Sequence, residues 1–138
     1  MLKGTYLLFM RFLCDKRTNV GSLGAVHIEA GEYCYVGSAM NGLRQRIERH
    51  LSSEKTIHWH IDHLTILADH KEAFVSLEPI DECELAAMAE GEGCTPIFKG
   101  FGCSDCRCRT HLFAVDGISK QNLLKSSDTA PFSPEHNK

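Results

Sequence analysis

Residues 4–14, GTYLLFMRFLC, constrain this chain most. Apolar and aromatic side chains follow one another almost without a break, and only Arg11 carries a charge. A run of this length and make-up reads as a largely buried strand. The rest of the chain must therefore supply cover for it. With 138 residues, of which 43% are hydrophobic and 24% charged, the chain suits one globular domain.

The segments that follow are short and clearly punctuated. Residues 15–19 (DKRTN) form a polar turn. Residues 24–30 (GAVHIEA) alternate apolar and polar, the mark of a half-buried strand. Gly31 and Glu32 read as a turn, and residues 33–38 (YCYVGS) as a third strand. The first 38 residues thus predict an antiparallel sheet with hairpin connections. Then the period changes. Leu43, Ile47 and Leu51 recur every fourth residue, which predicts a helix with Asn41 as its N-cap. Ile57, Ile61, Leu64 and Ala68 predict a second helix over 57–68. Residues 73–77 (AFVSL) read as a strand and 81–90 as a third helix. A Gly/Cys-rich segment, 97–115, ends in the apolar HLFAV. Residues 117–138 are rich in Ser, Asn, Lys and Pro, and predict a disordered tail behind a domain of residues 1–116.

Charge is uneven. The net value is −3 and the pI about 6.2, a poor match to a protein that coats DNA without selectivity. Yet Arg44, Arg46, Arg49, His50 and Lys55 cluster in one segment. Residues 69–92 hold eight acidic side chains and one basic one, Lys71. A local basic face beside an acidic one suits phosphate recognition together with a metal. No apolar stretch is long enough to span a membrane, and the N-terminus has no signal-peptide pattern. Seven cysteines, three of them within residues 103–108, suit metal ligation or thiol chemistry in a reducing cytoplasm better than a disulfide framework.

A site that cleaves phosphodiesters needs a group to orient or deprotonate water, a cation for the crowded phosphate, and a carboxylate for a metal. Tyr6 and Tyr35 lie near strand ends, with Gly4 and Gly37 beside them to permit close approach. Arg46 and His50 are four apart on the first helix and share a face. Glu82 and Glu84 begin the third helix. Asp81-x-x-Glu84 also fits a capping box, in which Glu84 serves a backbone N–H, so Glu82 is the preferred metal ligand. The same residues have plainer readings, as packed strand tyrosines and a solvated arginine face.

Gly4-Thr5-Tyr6, Tyr35-Val36-Gly37 and Leu43-x-x-Arg46-x-x-x-His50, in that order, resemble the successive motifs of the GIY-YIG nuclease superfamily. GEYCYVGSA, RQRIERH, HWHID, EC and FGCSDCRC-x-x-HLF resemble more narrowly a DUF123-type branch of it, over about residues 3–115. The resemblance implies an α/β fold of the α+β kind, with a small central antiparallel three-stranded sheet flanked by helices. Here GAVHIEA would be an extra N-terminal strand. Thr5 stands where the superfamily has Ile, and the tyrosines are further apart than its usual short hairpin places them.

The implied activity is DNA cleavage with one divalent metal, Mg2+ or Mn2+, in DNA repair or the processing of structured DNA. Tyr6 and Tyr35 would orient or deprotonate water, Arg46 would bind the scissile phosphate with His50 beside it, and Glu82 would hold the metal. Gly37, Ser38, Arg44, Arg49, His58 and His60 are the candidate nucleic-acid contacts. The low pI also suits a non-catalytic nucleic-acid-binding module, or a partner protein that delivers the DNA.

Cys103, Cys106, Cys108 and His111 have metal-ligand spacing, which suits zinc. The alternative is that Cys106, Cys108 and His111 pack and hydrogen-bond beneath the sheet. A zinc-stabilised interaction domain is the corresponding third reading of function.

Overall fold

The computed structural model describes residues 4–39, 43–52, 60–76, 80–98, 101 and 110–132. The proposed N-cap Asn41, residues 57–59 of the second expected helix, and Cys103, Cys106 and Cys108 lie outside them.

Strand β1 spans Gly4–Phe12 and is buried along nearly its whole length. It pairs antiparallel with β4 (Gly31–Ala39) on one side and β5 (His70–Ser76) on the other. These three are the central strands that the resemblance implies, but the sheet is larger. Strand β7 (Leu112–Val115) adds to β4, β6 (Thr95–Pro96) adds to β7, and β8 (Thr129–Pro131) adds to β5. The result is a six-stranded antiparallel sheet in an α+β fold, so the expectation of three strands is corrected. Covering the outer edges of β4 and β5 satisfies main-chain groups that would otherwise invite pairing with another chain.

The hairpin of β2 (Lys16–Asn19) and β3 (Ala25–Ile28) forms a separate two-stranded sheet. The expected alternation holds in β3, where Val26 and Ile28 are buried and Ala25 and His27 exposed. The polar turn expected at 15–19 is largely strand β2. The turn expected at Gly31–Glu32 belongs to β4, where these residues pair with Phe12 and Arg11.

The alternation of β1 divides the core. Tyr6, Leu8, Met10 and Phe12 join one cluster with Leu43 and Ile47 of α1 (Leu43–Leu51), Ile61 and Leu64 of α2 (His60–Thr65), and Val20, Val26 and Ile28 of the hairpin. Leu7 and Phe9 join the other cluster, with Leu85, Ala86 and Ala89 of α3 (Glu82–Gly91) and Leu123 of α4 (Gly117–Ser126). The large aliphatic and phenylalanine side chains among them each contribute about 1.5–3 kcal/mol on burial. Helices thus cover both faces of the strand, which explains its unbroken apolar run.

The expected disordered tail is also corrected, through residue 132. Asp116 and Ser119 form a reciprocal capping box at the start of α4. Leu123 is wholly buried, and Lys120 bonds Glu32 and Glu72 across to the sheet. β8 then pairs with Phe74–Ser76. The polar composition that suggested disorder is the solvent side of a helix docked through few residues.

Candidate active site

The site lies at one end of the central strands. Tyr6 stands opposite Gly37 of β4 and Val75 of β5. Since strand side chains alternate, Tyr35 and Gly37 share the face of Tyr6. The Tyr6 and Tyr35 rings are 6.5 Å apart, tilted by 50°. Gly37 is required here for space. A Cβ at this position would come within 2.5 Å of Tyr6 Cζ and Oη, far inside contact distance. The glycine expected to touch nucleic acid thus creates the slot that seats the phenol.

Helix α1 crosses this face and brings two predicted residues to the phenol. Tyr6 Oη and His50 Nε2 share a buried hydrogen bond of 2.6 Å. Arg46 Nη1 donates to the Ser38 carbonyl at 3.0 Å, and its guanidinium also hydrogen-bonds the Tyr6 hydroxyl. Arginine only donates, so the Tyr6 oxygen accepts from Arg46 and its O–H is available to His50. Burial pushes the Tyr6 pKa well above its ordinary 10.0, and Tyr35 adds to this. Arg46 pulls the other way, and the Glu82 carboxylate raises it again. Tyr6 is therefore a neutral phenol at physiological pH.

Glu82 lies within electrostatic reach of Tyr6. The chain leaves β5 just past Val75, opposite Tyr6, and returns at the start of α3, so the topology delivers the first residue of this helix to the site. Asp81 caps the helix, accepting from the Glu84 N–H at 2.9 Å. Residues two apart on a helix point about 200° apart, so only one carboxylate of the pair can face inward. It is Glu82, whereas Glu84 is exposed.

His111 completes the wall. It is fully buried, with Nδ1 3.5 Å from Glu82 Oε2. Its N–H donates to the Phe101 carbonyl at 2.9 Å, and its carbonyl accepts from Val36 N–H at 2.9 Å. Phe101 packs edge-on against Tyr35, with ring centroids 6.0 Å apart. The sequence pattern grouped His111 with the cysteines. Nothing in that spacing points to Glu82, because the pairing of β7 with β4 sets the contact.

The remaining candidates are arranged differently. Arg49 donates to Asp62, a wholly buried carboxylate, at 2.5 Å and so ties α1 to α2. Arg44 lies 3.6 Å from Glu48, one turn further along the same helix. Ser38 enters through its carbonyl. His60 packs between the Phe101 ring and Gly21 at the tip of the hairpin. His58 lies outside the described residues. Among the described residues, no group of three His, Cys, Asp or Glu side chains could hold a metal, and no helix is long and apolar enough to cross a membrane.

No curated protein and no solved structure matches the chain significantly. One family does, over residues 5–130, a range that reaches every strand of the six-stranded sheet and takes in the whole site. The chain belongs to that family, described as the domain of unknown function DUF123.

Proposed function

We propose that the protein is a metal-dependent endonuclease that hydrolyses DNA phosphodiester bonds through a GIY-YIG-type site. One observation carries this reading. Tyr6, Tyr35, Arg46, His50 and Glu82 come from two strands and two helices, yet they meet at one end of the sheet.

The geometry supports the following roles. A buried neutral phenol cannot begin as a phenolate base, so Tyr6 orients water and passes protons toward His50. The half-buried Tyr35 adds a second hydroxyl. Arg46 supplies the positive charge for a scissile phosphate, a contribution on the order of 10²–10³ in rate for such groups.

A hard cation such as Mg2+ prefers oxygen donors, keeps several waters, and is usually held by one or two carboxylates with substrate phosphate. Glu82 offers a carboxylate that is 36% exposed and within electrostatic reach of a phenol, so the donors present fit such an ion. When bound, the ion would stabilise charge on the phosphoryl oxygens.

The test is cleavage of branched and nicked DNA with Mg2+ by the wild type, Arg46→Ala and Glu82→Ala. We expect the wild type to cut and both variants to lose at least about a hundredfold. Equal activity in all three would reject the site. DNA binding without turnover in any metal would instead support a non-catalytic module.

A further inference from the structure

We propose that His111 is a positioning residue, holding the Glu82 carboxylate in the orientation that accepts a divalent cation. The proposal rests on the metal-dependent reading above. A lone glutamate at a helix start has several rotamers, and fixing it costs side-chain entropy. Glu82 is partly exposed, so packing alone does not choose among them.

His111 can choose. Its imidazole is fully buried, and its backbone is clamped on both sides, to Phe101 and to Val36. Val36 lies next to Tyr35, so the ring is fixed relative to the strand that carries the second tyrosine. Nδ1 faces Oε2 at 3.5 Å, a small side-chain rotation from a hydrogen bond. A carboxylate oxygen held by the ring would leave the other to the cation. A direct ligand role fits less well, because a wholly buried imidazole has no surface for an ion that keeps its waters. Hydrogen-bonded partners of metal ligands typically contribute about 10–100-fold to metal affinity or activity.

The experiment titrates Mn2+ into the full chain without DNA, so it does not depend on cleavage. It compares wild type, Glu82→Gln, His111→Asn and His111→Gln. Asn can place an amide N–H where Nδ1 stands, whereas Gln places it one bond further out. We expect Glu82→Gln to abolish binding, His111→Gln to weaken it at least about tenfold, and His111→Asn to recover most of it. With DNA and Mg2+, His111→Gln should need more metal for half-maximal rate yet approach wild-type rate at saturation. Wild-type Mn2+ affinity in His111→Gln would overturn the proposal, as would loss in both His111 variants without rescue. An absence of Mn2+ binding in the wild type would overturn it too. The nuclease reading is judged apart from this, by whether the wild type cuts DNA.

Discussion

The two ends of β1 carry polar clusters built on different logic. At one end, Lys120 Nζ reaches Glu32 at 2.8 Å and Glu72 at 2.6 Å, with the Phe9 ring 4.7 Å beneath it. Arg11 lies 3.7 Å from the same Glu32. Cations there meet carboxylates, and the result is mechanical: α4 is pinned to the sheet. At the other end, on the opposite face, Arg46 directs its guanidinium to a phenol and a carbonyl, and Glu82 faces an imidazole. One turn along α1, Arg49 repeats the first pattern with Asp62. A cluster of opposite charges docks elements together. A cluster that gathers a cation, a carboxylate and a buried neutral phenol is suited to handling a charged substrate.

The sharpest way to break this contrast is Gly37→Ala. The added methyl cannot coexist with the Tyr6 ring, so we expect about 1–3 kcal/mol of destabilisation and at least about a hundredfold loss of cleavage. In a Tyr6→Ala background the same change should cost almost nothing in urea unfolding, because the clash is gone. Full additivity of the two would show that the slot is not what Gly37 provides.

Lys120→Met probes the other end. It should lower stability by about 1 kcal/mol, the scale of partly exposed ion pairs, and leave cleavage unchanged. A loss of activity as large as that of Arg46→Ala would show that the two ends are coupled.

Alkaline pH tests both ends together. Burial by itself would lower the Lys120 pKa, but the Glu32 and Glu72 hydrogen bonds outweigh it and leave it above 10.5. Its contribution is therefore whole below pH 10.5 and fades as pH rises through the folded value. Tyr6 acts in the same direction. The unfolded chain ionises it near 10.0 while the folded chain resists, so stability falls above that pH. Urea midpoints between pH 8 and 11 should fall less steeply in Lys120→Met and in Tyr6→Phe than in wild type. The two corrections should add, since the sites share no partner among these contacts.

The smallest effect expected is that of Asp116→Ala. The backbone hydrogen bond from Ser119 holds the Asp116 carboxyl below its ordinary 3.8. Its stabilisation is present above that pH and is lost as pH falls through the folded value. At neutral pH the variant should fray α4, seen as faster amide exchange at its first turn, with cleavage intact.

The sequence made the site partly legible. Tyr6, Tyr35, Arg46 and His50 stand in motif order at readable spacings, and the Asp81-x-x-Glu84 capping pattern sets Glu84 apart from Glu82. The long apolar run of β1 announced a strand buried on both faces, and the four-residue repeat announced α1. The outer sheet was not legible. β6, β7 and β8 are two to four residues long, too short for periodicity to declare, and exist only because an edge is there to pair with. α4 stayed hidden because only Leu123 and a few neighbours are buried, while its Lys120 bridges need partners far along the chain.

The same distinction separates what the sequence alone determined from what folding decided. In the long, clearly patterned segments such as β1, β3 and α1, local patterns fix which residues are strand or helix and which face each side chain takes, because backbone periodicity is a local property. Whether Gly37 makes a slot for Tyr6, whether Arg49 reaches Asp62, and whether His111 comes near Glu82 are set by strand pairing and helix packing. Each depends on atoms brought within a few ångströms across tens of residues, and no spacing in the chain records that distance.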